Sequence, residues 1–242
     1  MLNLSSQKAS RGQGLTEYVL ILASIVVGAL LVLELTGYSV RDVYCTAARG
    51  LGAEDVCAGE QVYCQDDFVN LDNWETNWGT FTNQDGQICT SGSAKNYNTC
   101  SQNMDNMSDY SVTLTDAQLN AGNGYGVFFR GTDLDGRTDG YIVQYDPGWG
   151  GGSIIMRKWI DGRELPPFAT YRMPDYDWYS EPHDLRVDVN GNTFTVYLND
   201  EKVLVGEDDT YTEGGVGLRS WDSTEICLDG IAISEVNEEG AE

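Results

Sequence analysis

The feature that most constrains the fold is an alternation of apolar and polar residues over the C-terminal two thirds of the chain. A period of two residues is typical of strands that bury one face, and turn-forming dipeptides separate the segments. The pattern predicts one antiparallel β-sandwich over residues 64–237, with an acidic tail at 238–242. The alternating segments are 112–114, 125–129, 141–145, 154–156, 185–189, 194–198, 216–218 and 226–228, and the turns are Asn123-Gly124, Asp135-Gly136, Asp161-Gly162, Asn190-Gly191 and Asn199-Asp200.

Charge limits the partners. The chain carries 38 acidic side chains against 14 Lys and Arg, a net charge of -24, and residues 64–242 hold 32 of the acidic groups. We exclude a duplex nucleic-acid binder, because phosphate neutralisation requires a basic face. Hydrophobic residues make up 41% of the chain, which is enough for a packed core and excludes overall disorder.

An apolar segment precedes the sandwich. Residues 18–33 carry no charge and follow a basic leader at 1–12. A secretory signal would end in small residues at a cleavage site, whereas Glu34 and Leu35 follow here, so we place the cut before the apolar run. The pattern predicts a transmembrane or filament-core helix over 13–48 and a Cys- and Gly-containing junction at 49–63, giving an α+β chain.

The residues before the apolar run carry a resemblance. The segment Arg11-Gly-Gln-Gly-Leu-Thr-Glu-Tyr18 resembles the processing site of type IV pilins of the Flp/Tad (type IVb) class. The resemblance implies that a prepilin peptidase cuts between Gly12 and Gln13, and that Gln13, Glu17 and Tyr18 take part in assembly. It also implies a precursor in the cytoplasmic membrane, and partners that are copies of this chain and the pilus assembly machinery, with the mature subunit in an extracellular pilus.

Glu17 has a physical role independent of that resemblance. A carboxylate within an apolar helix is costly in lipid, by roughly 2.5–3.5 kcal/mol, and is usually retained for a partner. The new α-amino group at Gln13 of a neighbouring subunit would be such a partner. The alternative is that Glu17 lies at the interfacial end of an ordinary membrane anchor and extends to the headgroups.

Six cysteines follow the apolar segment, on the side that a translocated chain exposes to an oxidising space. No C-x-x-C pair occurs and His183 is the single histidine, which argues against zinc and thioredoxin-like chemistry. Sequence does not select among the pairings. We favour three local or terminal disulfides, with free buried thiols as the alternative: Cys45 with Cys57, Cys89 with Cys100, and Cys64 with Cys227.

The C-terminal segments carry a second resemblance. Their order is similar to that of concanavalin A/laminin G-like jelly rolls, which occur on secreted and carbohydrate-associated proteins. The resemblance implies a jelly-roll fold rather than an activity. The motifs that carry it are Asp66-Asp-Phe68, Trp74, Asp109-Tyr-Ser-Val112, Gly126-Val-Phe-Phe-Arg130, Gly140-Tyr141, Arg186-Val-Asp-Val-Asn-Gly191 and Gly214-Gly-Val-Gly-Leu218.

Catalytic signals are weak. Glycosidases of related folds need two carboxylates across a cleft, and the Glu-x-Asp-x-x-Glu strand motif of one such family does not occur. A Ser/His/Asp arrangement would depend on His183, and no Gly-x-Ser-x-Gly elbow is present. We therefore expect a protein that is not an enzyme and that requires no cofactor.

One loop offers hard oxygen ligands. Asp133, Asp135 and Asp139 lie within nine residues and could hold calcium, although the spacing departs from an EF-hand and lacks its terminal glutamate. We favour an Asp-Gly turn with solvated carboxylates, and calcium is the alternative.

Aromatic residues in a proline-rich stretch are candidates for contact with glycans. Trp149, Trp159, Tyr176 and Trp178 offer ring faces beside polar groups, as sugar sites require. Packing between filament subunits is the favoured use, with extracellular glycan binding as the alternative. Asn106 begins an N-x-Ser sequon, which matters only in a cell that glycosylates exported proteins.

Together these patterns predict a structural pilin that polymerises through its N-terminal helix and displays an acidic β-sandwich for adhesion. The first alternative is a single-pass, membrane-anchored, lectin-like surface protein that does not polymerise. The second is a glycosidase tethered by the helix.

Overall fold

The computed structural model describes residues 62–99, 107–134 and 137–236, with the backbone alone at 133 and 134. The predicted leader, the predicted helix, residues 49–61 of the predicted junction and the acidic tail lie outside the described residues. Residues 62 and 63 of the predicted junction begin β1. These individually predicted residues also lie outside the described residues: Gly12, Gln13, Glu17, Tyr18, Cys45, Cys57, Cys100, Asn106 and Asp135.

All regular secondary structure in the described ranges is β-strand. They are β1 (Val62–Asp66), β2 (Trp74–Trp78), β3 (Phe81–Gln84), β4 (Gln87–Ser91), β5 (Ala94–Asn98), β6 (Tyr110–Ala121), β7 (Tyr125–Leu134), β8 (Arg137–Asp146), β9 (Ser153–Ile160), β10 (Arg163–Glu164), β11 (Ala169–Arg172), β12 (His183–Asn190), β13 (Thr193–Leu198), β14 (Glu201–Glu207), β15 (Gly215–Ser220), β16 (Glu225–Leu228) and β17 (Gly230–Ser234).

The strands form two sheets, and neighbouring strands are antiparallel. Sheet I has the order β14-β13-β12-β6-β16-β4-β3, and β17 pairs with both β6 and β1. Sheet II has the order β10-β9-β8-β7-β15-β5-β2, and β11 pairs with β9. The described part of the chain is therefore an all-β, jelly-roll-like sandwich, which confirms the predicted antiparallel sandwich. Within the described ranges, no helix is long and apolar enough to cross a membrane.

The predicted alternation sets the core between the sheets. In β8, Tyr141, Val143 and Tyr145 belong to the core cluster, whereas the intervening Ile142 and Gln144 do not. Four of the predicted dipeptide turns connect consecutive strands at the predicted places: Asn123-Gly124, Asp161-Gly162, Asn190-Gly191 and Asn199-Asp200.

Aromatic rings join the two sheets. Phe129 and Tyr141 of sheet II contact Phe194 of sheet I, with ring centroids 4.9 and 4.7 Å from that of Phe194. All three side chains are fully buried. Burial of one such ring stabilises the fold by roughly 1.5–3 kcal/mol, so these three rings contribute to the cohesion between the sheets.

The disulfide pairing differs from the prediction. Cys89 of β4 is bonded to Cys227 of β16, its partner in the strand register, with Cα atoms 4.1 Å apart. The predicted pairs Cys89–Cys100 and Cys64–Cys227 are therefore wrong. They assumed partners that are close in sequence or on terminal strands, whereas β16 inserts between β4 and β6. Cys64 is also disulfide-bonded, so free thiols are excluded for these three cysteines.

His183 belongs to the core rather than to a surface site. It is 2% exposed, its Nε2 lies 2.6 Å from the hydroxyl of Tyr125, and its ring stacks on Tyr145 at 4.2 Å between centroids. Burial lowers the pKa of His183 to about 4. The folded state therefore holds a neutral imidazole at pH values where the unfolded chain would protonate it.

We expect the free energy of unfolding to depend on pH through His183. Between pH 4 and pH 6.5 the unfolded state binds the additional proton, so stability falls as the pH drops through this window, by up to about 3 kcal/mol. Urea unfolding at several pH values measures the free energy of unfolding as a function of pH. Between pH 4 and pH 6.5 this free energy should change less steeply with pH in His183→Gln than in the native chain. Equal slopes would contradict this assignment.

Candidate functional site

Sheet II presents a structured outer face. Val127, Val143, Met156 and Leu218 point into the core. Because side chains alternate along a strand, the residues beside them point outward. The outward residues on β7, β8, β9 and β15 are Phe128, Ile142, Gln144, Ile155, Arg157, Trp159 and Arg219. Of these, Phe128, Ile142, Gln144 and Ile155 are at most 2% exposed, so the middle of this face is packed.

A polar cluster lies at the centre of this face, and we define it as Gln144, Arg157, Glu164 and Arg219. Gln144 Nε2 donates to Glu164 Oε1 at 2.6 Å, and Arg219 Nη1 donates to the same oxygen at 3.2 Å. Arg157 Nε donates to Gln144 Oε1 at 2.8 Å and lies 3.8 Å from Glu164 Oε1. Four strands thus contribute side chains to one hydrogen-bonded unit.

Strand register explains how these side chains meet. Gly126 lies between Arg219 of β15 and Gln144 of β8 in the sheet. A Cβ at Gly126 would lie 2.8 Å from Ile142 Cδ1, so this position has no room for a side chain. The side chain of Ile142 therefore occupies the space above this glycine.

Aromatic rings hold the two arginines. The guanidinium of Arg219 lies between Trp159 and Trp221, at 4.8 and 5.1 Å from the ring centroids. Arg157 lies 4.3 Å from the ring centroid of Trp149. Burial lowers the pKa of Arg219, and Glu164 opposes that shift. The cations are fixed in place, as a binding surface requires.

Two donors on this face have no hydrogen-bond partner among the described residues. They are Nε1 of Trp159 and Nε of Arg219, and both atoms are buried. Buried donors in folded proteins are normally paired, so these two are exceptions within the packed part of this face, where a bound molecule does not reach them.

Trp149 lies on the turn between β8 and β9. Its backbone N–H donates to Asp146 Oδ1 at 2.8 Å, and its carbonyl accepts from Gly152 N at 3.0 Å. Burial raises the pKa of Asp146, and the backbone bonds to this turn oppose that shift. Asp146 therefore organises the turn rather than acting as a free base.

A depression of about 560 Å³ lies beside this turn. Trp149 is 41% exposed and Tyr171 is 41% exposed, so both present ring surface to solvent. The residues that line the depression are Trp149, Pro167, Thr170, Tyr171 and Arg172.

The structure separates the four predicted aromatic residues. Trp149 and Trp159 lie on the outer face of sheet II. Trp178 is 6% exposed and belongs to the core, with its ring 4.6 Å from that of Tyr145, and Tyr176 packs against it at 5.1 Å. Trp178 therefore offers no free ring face, although its sequence context of prolines and tyrosines suggested exposure.

Trp178 instead supports the turn that carries Trp149. A Cβ at Gly152 would lie 2.5 Å from Trp178 Nε1, so the indole occupies the space that a side chain would need. Gly152 also has a φ of 105°, which favours glycine. Trp178 is thus a positioning residue.

The calcium prediction stays a prediction. Asp139 Oδ1 accepts a hydrogen bond from Gly162 N at 3.2 Å, while Asp135 and the side chain of Asp133 lie outside the described residues. Within the described ranges, no group of three His, Cys, Asp or Glu side chains could hold a metal ion.

The polar cluster was not predicted from the sequence. Its members come from β8, β9, β10 and β15 and share no local motif. The sequence did contain one indication, because Gln144 and Arg157 are polar residues at outward positions of otherwise mostly apolar strands.

The turn provides a paired test. We expect Gly152→Ala to destabilise the fold by about 2 kcal/mol more than Gly151→Ala, because both positions have positive φ but only the first meets Trp178. At Gly151 nothing lies within 4 Å of an added Cβ. Urea unfolding of both variants measures the difference, and equal losses would show that Trp178 does not support the turn.

Comparison with solved structures agrees with the sandwich. The carbohydrate-binding module CBM66 from Bacillus subtilis matches with a TM-score of 0.53 and 24% identity, over 65% of this chain and 94% of the module. The VIP36 exoplasmic/lumenal domain, in a form bound to Ca²⁺ and Man3GlcNAc, matches with a TM-score of 0.54 and 11% identity, over 76% and 93%.

An enzyme shares the architecture. A β-1,3-1,4-glucanase (lichenase) derived from a mouse hindgut metagenome matches with a TM-score of 0.51 and 14% identity, over 74% of this chain and 99% of the enzyme. At these identities the matches show the fold alone.

No curated protein sequence matches the chain. A family model described as a 3-keto-alpha-glucoside-1,2-lyase-like domain matches residues 66–233, which are more than half of the chain and include both sheets. The chain therefore belongs to the family of 3-keto-alpha-glucoside-1,2-lyase-like domains.

Proposed function

We propose that residues 62–236 form a lectin-like, carbohydrate-binding domain whose site is the depression at Trp149, beside the outer face of sheet II. The observation that carries this proposal is the exposed ring of Trp149 in a depression beside the polar cluster. Sugar sites combine an aromatic face, which packs on the C–H groups of the ring, with polar side chains held in fixed positions.

The polar cluster supplies that second component. Glu164 Oε1 is engaged by Gln144 and Arg219, which holds the carboxylate in one position. The Glu164 side chain is 30% exposed, so it can also accept a hydrogen bond from a sugar hydroxyl. Thr170 and Arg172 line the depression and supply donors to sugar oxygens. The site therefore offers both an acceptor and donors, as a hydroxyl-rich ligand requires.

Binding is favoured over catalysis as the function of this face. The family description names a lyase-like domain, and proton abstraction would need a base free to reach the substrate. His183 is buried in the core, Asp146 organises a turn and Glu164 is engaged by the cluster. The lichenase likeness extends to the sandwich only.

Export to an oxidising space is part of this proposal. Disulfides at Cys89, Cys227 and Cys64 favour an extracellular location, where thiols remain oxidised. A surface-displayed domain with an outward sugar site would serve adhesion.

We expect Trp149→Ala to weaken glycan binding about tenfold, because the ring supplies the stacking surface. The measurement is a glycan array on the full chain, followed by titration of the best ligand. Tyr63→Ala is the matched control, since Tyr63 is 39% exposed and lies on β1 of sheet I. Equal affinities in both variants would move the site away from Trp149, and an array without binding would reject the proposal.

A second candidate function, a structural pilin, is favoured by the sequence from Arg11 to Tyr18 and the apolar run that follows. In this proposal a prepilin peptidase removes residues 1–12, the helix over 13–48 polymerises with copies of itself, and the sandwich lies on the filament surface. The two functions are compatible, because a filament can display a lectin-like domain.

The pilin proposal is tested on cells. We expect the mature chain to begin at Gln13, and Glu17→Ala to abolish filaments while leaving membrane insertion unchanged, because the replacement removes the partner of the α-amino group. N-terminal sequencing and electron microscopy of the cell surface measure both. A mature chain that begins at Met1 would reject the pilin and leave the anchored lectin.

A further inference from the structure

The depression beside Trp149 has a charge opposite to that of the chain. Its lining contains one charged side chain, Arg172, and no carboxylate. The chain as a whole carries a net charge of -24. A cation at the exposed end of a proposed sugar site, in so acidic a protein, points to a ligand with negative charge.

Arg172 has no ion-pair partner among the described residues. The other arginines near this face, Arg157 and Arg219, both contact Glu164, at 3.8 and 3.2 Å. Arg172 instead lies against the turn, where a Cβ at Gly150 would be 3.7 Å from its Cζ. Its guanidinium is therefore positioned beside Trp149 with its charge uncompensated by a carboxylate.

Strand pairing fixes the position of Arg172 relative to the ring. Arg172 of β11 is opposite Ser153 of β9, and Ser153 Oγ donates to the carbonyl of Trp149 at 3.0 Å. Met173 N also donates to Gly152 O at 2.9 Å. The strand that carries Arg172 is thus bonded directly to the turn that carries Trp149.

The arginines of the polar cluster are compensated, in contrast to Arg172. Arg157 and Arg219 both contact Glu164. Asp146 also interacts electrostatically with Arg157, and Asp222 with Arg219. Arg172 is therefore the cation at this site whose charge a neutral sugar would leave unpaired.

We infer that the ligand is a glycan that bears carboxylates, a uronic-acid polysaccharide, with the sugar ring on Trp149 and the carboxylate on Arg172. A uronate carries its carboxylate directly on the ring carbon, so stacking and ion pairing act on one residue of the polymer. Guanidinium binds carboxylate through two parallel hydrogen bonds, a geometry that lysine does not reproduce. The inference rests on the proposed function.

The test compares polymers that differ only in the carboxylate. The full chain is titrated with polygalacturonate, alginate and hyaluronan, and with the carboxyl-reduced form of each. Arg172→Gln is measured beside Lys202→Gln, which makes the same change of charge on an exposed residue of sheet I. Unfolding curves of both variants check that the fold is retained.

We expect at least one uronate polymer to bind tenfold or more tightly than its reduced form. Arg172→Gln should remove that difference, and Lys202→Gln should preserve it. Equal binding of the acidic and reduced forms, or an unchanged preference in Arg172→Gln, would overturn the inference and leave glycan binding in place. If neither these polymers nor neutral glycans on an array bind, the proposed function itself is rejected.

Discussion

Contacts between aromatic rings across the gap between the sheets are the interaction on which the rest of the structure depends. Phe129, Tyr141 and Phe194 meet at one end of the core, and Tyr125, Tyr145 and His183 meet at the other. These rings are buried in both groups. Because these rings place one side of the central strands in the core, the alternate residues of the sheet II strands lie on the opposite, outer face of that sheet.

That surface is built on the same strands that hold the core together. Gln144 lies between Val143 and Tyr145, and Arg157 follows Met156, so each outward side chain inherits a fixed position from its buried neighbours. Rigid placement of this kind lowers the entropy cost of binding. The turn that carries Trp149 is fixed in a similar way, because Asp146 accepts a hydrogen bond from its backbone and Trp178 packs against Gly152.

Local sequence patterns predicted the strands, but they did not predict which distant segments become neighbours in the sheets. Residues 125–129 and 141–145 alternate so regularly that their inward positions followed from the sequence, as did the turn at Asn190-Gly191. Strands β2 to β5 are rich in polar residues and gave no such signal. Cys89 and Cys227 pair because β16, 138 residues further along the chain, lies beside β4, and the spacing of the cysteines in the sequence does not indicate this.

The polar cluster was missed for the same reason, since its four residues become neighbours only through the order of the strands in sheet II. Trp178 was misplaced because a ring in a proline-rich segment does not reveal which face it covers.

The central claim is that the depression at Trp149, beside the outer face of sheet II, binds glycans, and the indole N–H signals of the tryptophans test it most directly. In a ¹H–¹⁵N spectrum of the full chain titrated with a bound glycan, the indole signal of Trp149 should shift. The indole of Trp74 should not, because its Nε1 donates to Asp66 Oδ2 at 2.9 Å on the core side. Shifts confined to Trp74 and Trp178, with Trp149 unchanged at saturation, would contradict the account.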